Sequence, residues 1–339
     1  MKLRIGLVGL GSAWQQRHCP ALRALADRFE VRVVCEQVAH RAEQAAAQFG
    51  AATVDGFRAL VAREDVDAIL MLAAQWYGAL PILAACESGK AVYCSTGLDL
   101  ELEQARMIKQ RVEEAGIAFM AEFPRRLSPA TLRLKELIAT RLGRPRLLFC
   151  HMRSPANHQA DEEADEKTTP ACDLVELVDW CRYVVGSEAT WVTGLMHAAA
   201  GGSVPEDYQM LTLDFSAPGG PGSGAIAQIS CGHYIPAGWQ EAVTYRPLAA
   251  LQVSCEYGIA FVDLPSTLVW FDEAGRHQES LESERPVGEQ LLAQFHRAVT
   301  SLVRKTSDLE DAYRALCIVR EARHSHELGR RVSLAEPPE

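Results

Sequence analysis

No two of the ten cysteines (19, 35, 86, 94, 150, 172, 181, 231, 255 and 317) stand at CxxC spacing in this 339-residue chain. A disulfide framework or a structural zinc site is therefore not what organises it, and a reducing compartment is the expectation. Cys35 and Cys150 fall inside strand-like runs, where a thiol packs as a small hydrophobe. No apolar run reaches the ~18 residues that span a bilayer. No charged, apolar leader with a small-residue cleavage site precedes the first strand. Lys and Arg form no stripe, and the formal net charge is −10, so binding along a phosphate backbone lacks the concentrated positive charge it needs. Internal repeats and low-complexity tails are also missing. Together these absences point to a cytoplasmic protein with a small-molecule ligand, no nucleic-acid or membrane partner and no metal.

What is present is an ordinary globular composition, 48% hydrophobic and 23% charged, in a chain too long for one core. Residues 3–10, 31–35, 68–73, 91–94 and 117–121 read as strands, apolar apart from Arg4 and Arg32. Amphipathic helices fill the gaps, at 20–28, 41–49, 57–63, 80–87 and 101–115. That alternation specifies a parallel sheet covered on both faces. After Pro129 the texture changes. Helices at 131–140 and 174–185, strand-like segments at 146–152, 190–196, 210–215, 225–232, 251–256 and 259–263, and final helices at 288–303 and 309–328 suit a mostly antiparallel sheet with helices on one face. An acidic stretch at 157–167 reads as a solvated loop. The expected class is α/β, with a doubly wound dinucleotide-binding domain at 1–122 and an α+β substrate and oligomerisation domain at 123–339.

Gly9-Leu10-Gly11 stands where the first strand gives way to a helix. The first glycine permits the tight turn, and the second lets backbone approach a pyrophosphate at a helix N-terminus. Ser12 and Ala13 continue that loop, and Trp14 occupies the position where a third Gly or Ala normally packs helix on strand. Glu36 ends the second strand, where a carboxylate accepts hydrogen bonds from the adenosine ribose and repels a 2′-phosphate. NAD(H) is thus favoured over NADP(H), with His40 and Arg41 near enough to soften the preference. The alternative is a structural glycine turn beside a surface glutamate.

These pieces, with others further along, resemble the glucose–fructose oxidoreductase / inositol dehydrogenase / MocA-like (Gfo/Idh/MocA) family. The resemblance runs through IGLVGLG with Ala21-Leu22, VVCEQVAHRAEQAAAQFG, Asp55 with 60–72, Gly89-Lys90 with Val92, FPRRLSP at 123–129, DWCRYVVG at 179–186 and the closing segment 321–332. It implies a Rossmann domain followed by an open, predominantly antiparallel sheet. It also implies NAD(P)-dependent oxidation or reduction at a carbinol carbon of a sugar or polyol, and homodimers or homotetramers formed through the second sheet.

Departures from the family pattern fall on the chemistry. The lysine of the family's Glu-Lys-Pro becomes Thr96 within Ser95-Thr96-Gly97. The Asp and His of the second-domain helix become Cys172 and Glu176, with Asp173 one residue away. Ala74, Gln75 and Gly78 replace a Pro-Asn and His, and Trp14, Trp76 and Tyr77 add bulk at the expected nicotinamide end. Under the resemblance, Gly9, Gly11, Ser12, Ala13, Trp14, Glu36, Arg41, Ala74, Gln75, Trp76 and Ser95 line the cofactor. Thr96 positions the reacting hydroxyl, and Glu176 or Asp173 serves as acid/base beside Cys172. Arg125 and Arg126 offer guanidinium forks to an anionic substrate, against an exposed salt-bridging role for at least one of them. Three readings stay open: an oxidoreductase with altered residues, Glu176 as a plain helix residue with Cys172 as filler, and a nucleotide- or sugar-binding sensor or scaffold without turnover. His151, Arg153, His233 and Tyr234 are lesser pocket candidates, while His324 and His326 read as surface residues.

Overall fold

The computed structural model describes residues 2–95, 101–156, 170–197, 208–217, 223–236, 241–242, 245, 249–282, 284–301 and 307–334. They divide into two compact units. The first is built mainly from Met1–Pro124 and Arg285–Arg314, and the second mainly from Arg125–Ala164, Thr168–Glu284 and Ala315–Glu339.

The first unit runs β1 (Leu3–Val8), α1 (Cys19–Ala24), β2 (Phe29–Cys35), α2 (Ala39–Phe49), β3 (Ala52–Thr53), α3 (Phe57–Val61), β4 (Ala68–Met71), α4 (Ala74–Tyr77), α5 (Leu80–Glu87), β5 (Ala91–Cys94), α6 (Leu102–Ala115) and β6 (Phe119–Ala121). Its six strands lie in the order β3-β2-β1-β4-β5-β6, and every pairing is parallel. Every residue of β4, β5 and β6 is buried, as strands covered on both faces must be. The order reverses between β1 and β4, the switch point beyond whose carboxyl ends open α/β sheets bind ligands. This is a Rossmann sheet.

One more helix belongs to this unit, although it lies far beyond residue 122, where the sequence places the end of the first domain. In α9 (Val287–Thr300) Leu291, Leu292 and Phe295 are buried, and the Phe295 ring meets Tyr93 of β5 edge-on at 5.5 Å. An amphipathic stripe states that a helix needs an apolar partner but not which sheet supplies it.

The second unit contains α7 (Pro129–Leu137), β7 (Pro145–Ala156), α8 (Pro170–Val185), β8 (Trp191–His197), β9 (Tyr208–Asp214), β10 (Ile226–Pro236), β11 (Leu251–Cys255), β12 (Ile259–Asp263), β13 (Thr267–Asp272), β14 (Gly275–Ser280), most of α10 (Ser307–Leu328) and β15 (Val332–Ser333). Helix α7 begins two residues before its expected start. Pro129 occupies its first turn, and the Ser128 hydroxyl accepts the Thr131 N–H at 3.3 Å as an N-cap. Nine strands form the sheet β14-β13-β12-β11-β7-β10-β9-β8-β15, antiparallel except between β7 and β10. The mostly antiparallel second sheet is thus as expected. The hairpin β13–β14 and the short β15 add strands that the sequence reading did not include.

Side chains of this sheet alternate. Leu148 and Cys150 of β7, Leu211 and Leu213 of β9, and Ala227, Ile229 and Cys231 of β10 turn to a core shared with α7, α8 and α10. The opposite face leaves Leu147, Leu195, Ile226 and Phe271 exposed. Strand β8 lies hard against α10: a Cβ on Gly194 would come within 2.0 Å of the Ala322 carbonyl oxygen, so only glycine permits the approach. Among the described residues no helix is long and apolar enough to cross a membrane.

Candidate functional site

In the first unit, β1 delivers the chain into Gly9 at φ +68°, a conformation glycine tolerates and other residues resist. A Cβ there would also lie 2.4 Å from the Ala73 Cβ. The Gly9 N–H donates to the Cys35 carbonyl at 2.8 Å, which ties the loop to the end of β2. Glu36 then turns onto the loop itself. Its Oε2 accepts the Leu10 N–H and its Oε1 the Gln37 N–H, each at 2.8 Å. The carboxylate is therefore oriented by backbone donors on both oxygens, the Val38 N–H joining at 3.5 Å. Ionised carboxylate oxygens offer about four acceptor sites, so capacity for further hydroxyl donors remains.

The other cofactor candidates divide. Trp14 opens a π-helical turn, Trp14–His18, and is buried with its ring edge-on to Phe49 at 6.0 Å. Its bulk, expected beside the cofactor, thus packs against α2. Trp76 in α4 is 68% exposed, whereas Tyr77 packs edge-on to Phe57 and hydrogen-bonds Cys35, its phenol pushed up chiefly by burial. Ala74 lies in the same turn, Arg41 in the first turn of α2. The Ser95 hydroxyl donates to the Leu72 carbonyl at 2.9 Å, joining the ends of β4 and β5. Gln75's side chain and Thr96 lie outside the described residues, so the proposed positioning hydroxyl is not placed.

At the same sheet edge stands a buried polar cluster the sequence reading missed. Glu122 follows β6, is 2% exposed, and accepts the Tyr93 hydroxyl at 2.7 Å. Its carboxylate also meets His18 Nε2 at 2.8 Å and pairs with the Arg17 guanidinium. Burial alone drives a carboxyl toward its neutral form. Here His18, Arg17 and the Tyr93 hydroxyl outweigh it and hold Glu122 below the ordinary glutamate value. Tyr93 is raised by burial and by that same carboxylate. The available signal was a single charged residue ending an apolar strand, in FMAEF, together with the Arg17-His18 pair after the loop.

In the second unit, Arg126 does not stand open to an anionic substrate. It forks onto Asp179 of α8, Nε donating to Oδ2 at 2.5 Å and Nη2 to Oδ1. Asp179 is fully buried and is shared with Arg182, whose Nη1 lies 3.7 Å away and whose Nε donates to Glu188 at 2.9 Å. Arg125 is likewise engaged. Its Nε lies 3.2 Å from Glu176 Oε2, an ion pair without hydrogen-bond alignment. Its Nη2 donates to Met152 Sδ at 3.4 Å, and its guanidinium stacks 5.6 Å over the Trp180 ring. Burial opposes the Arg125 charge, but Glu176 more than restores it and raises the value.

Glu176, the expected acid/base, thus has one oxygen committed to Arg125, while its Oε1 is buried with no hydrogen-bond partner. Asp173 lies in the first turn of α8, and the side chain of Cys172 is outside the described residues. His151 Nδ1 meets the Ser230 hydroxyl at 2.8 Å on the sheet face away from the helices, its pKa lowered by burial. Arg153 donates to the Tyr245 carbonyl at 2.8 Å, and Tyr234 packs edge-on to Tyr208. His233's side chain lies outside the description. His324 and His326 are exposed. Among the described residues, no three His, Cys, Asp or Glu side chains gather as a metal-binding group.

Residues 3–123 match the model of the oxidoreductase family with an NAD-binding Rossmann fold, Gfo/Idh/MocA. Inositol 2-dehydrogenase 3 of Saccharopolyspora erythraea is 29% identical over 182 residues, 53% of this chain and 54% of that one. D-xylose 1-dehydrogenase (NADP(+)) 2 of Haloferax volcanii is 27% identical over 147 residues, 42% of this chain and 43% of that one. The chain spans about half the length of the curated relatives it matches. Two solved structures share the fold over nearly the whole chain. A levoglucosan dehydrogenase in complex with NADH and levoglucosan superposes at TM-score 0.82 with 16% identity, covering 99% of this chain and 100% of that one. An NAD binding oxidoreductase from Klebsiella pneumoniae does so at 0.81 with 19% identity, covering 99% and 100%. Residues 3–123, the part of the chain that holds the Rossmann sheet, are thus what it shares with the Gfo/Idh/MocA family model.

Proposed function

We propose that the chain is an NAD(P)-binding oxidoreductase acting on a sugar, polyol or related carbinol compound, with NAD(H) as the favoured cofactor. The observation that carries the reading is the Gly9–Glu36 arrangement at the switch-point edge of the parallel sheet. When bound, the dinucleotide supplies hydride transfer. The chain's own part is to seat the pyrophosphate against the Gly9–Ser12 backbone, accept the ribose hydroxyls on Glu36 and repel a 2′-phosphate there. Thr96 is assigned to position the reacting hydroxyl, with Glu176 or Asp173 moving its proton. The dehydrogenase names of the relatives support the substrate class. The exposed apolar face at Leu147, Leu195, Ile226 and Phe271 supports association of copies into a homodimer or homotetramer.

Binding without turnover is the second reading, and the engagement of Glu176 with Arg125 favours it. Absorbance assays with neutral sugars, inositols and sugar acids, using NAD and NADP in turn, separate the two. Replacing Glu36 by alanine tests the cofactor assignment. A hydrogen bond to a charged group contributes about 1.5–3 kcal/mol, so NADH affinity measured by calorimetry should fall roughly tenfold or more while discrimination against NADPH narrows. Unchanged NADH affinity would reject the assignment.

A further inference from the structure

One side chain reaches across the carboxyl ends of four adjacent strands of the parallel sheet, β3-β2-β1-β4. Tyr77 closes α4, the turn after β4, and its ring lies on the glycine loop: a Cβ on Gly9 would come within 3.1 Å of Tyr77 Cε2. The same ring meets Phe57, the first residue of α3 after β3, edge-on at 6.4 Å. Its hydroxyl donates to the sulfur of Cys35, the last residue of β2. Cys35 is itself 2% exposed, and its carbonyl accepts the Gly9 N–H at 2.8 Å. The end of β2 is thus tied to the loop twice, once through its backbone and once through Tyr77. Glu36 follows directly, and its Oε2 accepts the Leu10 N–H of the same loop. Burial pushes both the phenol and the thiol up, so both stay protonated at neutral pH and their hydrogen bond is uncharged. Glu36 and Asp55 stand near enough to act on Cys35, and both carry negative charge that the neutral phenol does not offset.

We propose that Tyr77 is a positioning residue for nucleotide discrimination: by tying Cys35 to the Gly9 turn it fixes the Glu36 carboxylate against 2′-phosphorylated nucleotides. While the strand end is held, the carboxylate stays on the Leu10 N–H, and a 2′-phosphate meets a fixed charge of its own sign. Without the phenolic hydroxyl the Cys35 side chain loses its tie, and Glu36 is free to turn toward solvent. The proposal rests on the reading of the Gly9–Glu36 edge as a dinucleotide site, and its readout is binding rather than turnover.

The test is calorimetry of the full chain with NADH and NADPH. The wild type should prefer NADH. Tyr77→Phe keeps the ring and removes the hydroxyl. It should weaken NADH binding about threefold to tenfold, the range of one hydrogen bond, and narrow the NADH-to-NADPH preference by a similar factor. Cys35→Ala removes the acceptor instead and should narrow the preference likewise, so the proposal stays testable if the phenylalanine variant does not fold. In a Glu36→Ala background, Tyr77→Phe should narrow it no further, because both changes act through one carboxylate. A purely structural Tyr77 would lower Tm and weaken both nucleotides in proportion, so an unmoved preference in Tyr77→Phe or Cys35→Ala would overturn the proposal. Additional narrowing in the Glu36→Ala background would also overturn it. The two readings fail differently. A wild type that binds neither nucleotide removes the dinucleotide site and this proposal together, whereas wild-type NADH preference that both variants leave intact removes this proposal alone.

Discussion

Replacing Glu122 by alanine is expected to lower the stability of the first unit by about 3–5 kcal/mol, the usual cost of removing one partner from a buried ion pair. The magnitude follows from what remains behind. His18 is 1% exposed and its Nδ1 already lacks a partner, so loss of the carboxylate leaves the whole imidazole unsatisfied. Arg17 loses its buried counter-charge, and the Tyr93 hydroxyl loses its acceptor. The sign with pH is fixed as well. The folded Glu122 carboxyl lies below the ordinary value of 4.5. Its ionised form therefore stabilises the fold fully above 4.5, and that contribution is lost as pH falls from there through the lower folded value. The variant should show a flatter acid limb than the wild type. Because two compact units need not unfold together, hydrogen exchange resolved by peptide is the appropriate measurement, with the loss confined to segments of the first unit. A change below about 1 kcal/mol would show that the cluster contributes no more than a surface substitution.

A loss of similar size, about 3–5 kcal/mol, is expected in the second unit for Asp179→Ala. This buried carboxylate receives the bidentate fork of Arg126 and faces Arg182 as well. Arg182 retains Glu188, and Arg126 keeps its position 5.2 Å over the Tyr183 ring but loses its bidentate carboxylate. Asp179→Asn should recover only part of the loss, since it restores an acceptor but not the charge. Accelerated exchange should map to α7, α8 and the core face of the sheet. Faster exchange in the first unit alone would contradict the assignment.

How much of this was legible in the sequence depended on how local the signal was. The parallel strands, the glycine loop and the acid ending β2 are each written within a few consecutive residues, and a parallel sheet covered on both faces follows from the alternation of those strands with helices. Strand β14 was not legible: GRHQES, an edge strand, has no apolar face to alternate. The unit to which α9 belongs was equally hidden, because apolar periodicity does not name its partner. Glu122 and His18 stand 104 residues apart, and Arg126 and Asp179 stand 53 apart. Such pairings depend on topology, and no spacing rule reaches them. The same limit explains Arg125 and Arg126. Their charge was plain, but the carboxylates that occupy them were not. Glu36 was placed correctly at its strand end, yet its hold on the Leu10 N–H emerges only from the geometry.

The most direct test of the Gly9–Glu36 edge as a dinucleotide site is titration of the wild-type chain with NADH, followed by calorimetry and by tryptophan fluorescence. The exposed Trp76 in α4, the turn after β4, makes the second readout informative. Saturable binding well below millimolar is the expected result. Gly9→Ala should abolish it, because the new Cβ would collide with Ala73 and strain the backbone at φ +68°. No binding of either NADH or NADPH at millimolar concentration would contradict the cofactor site.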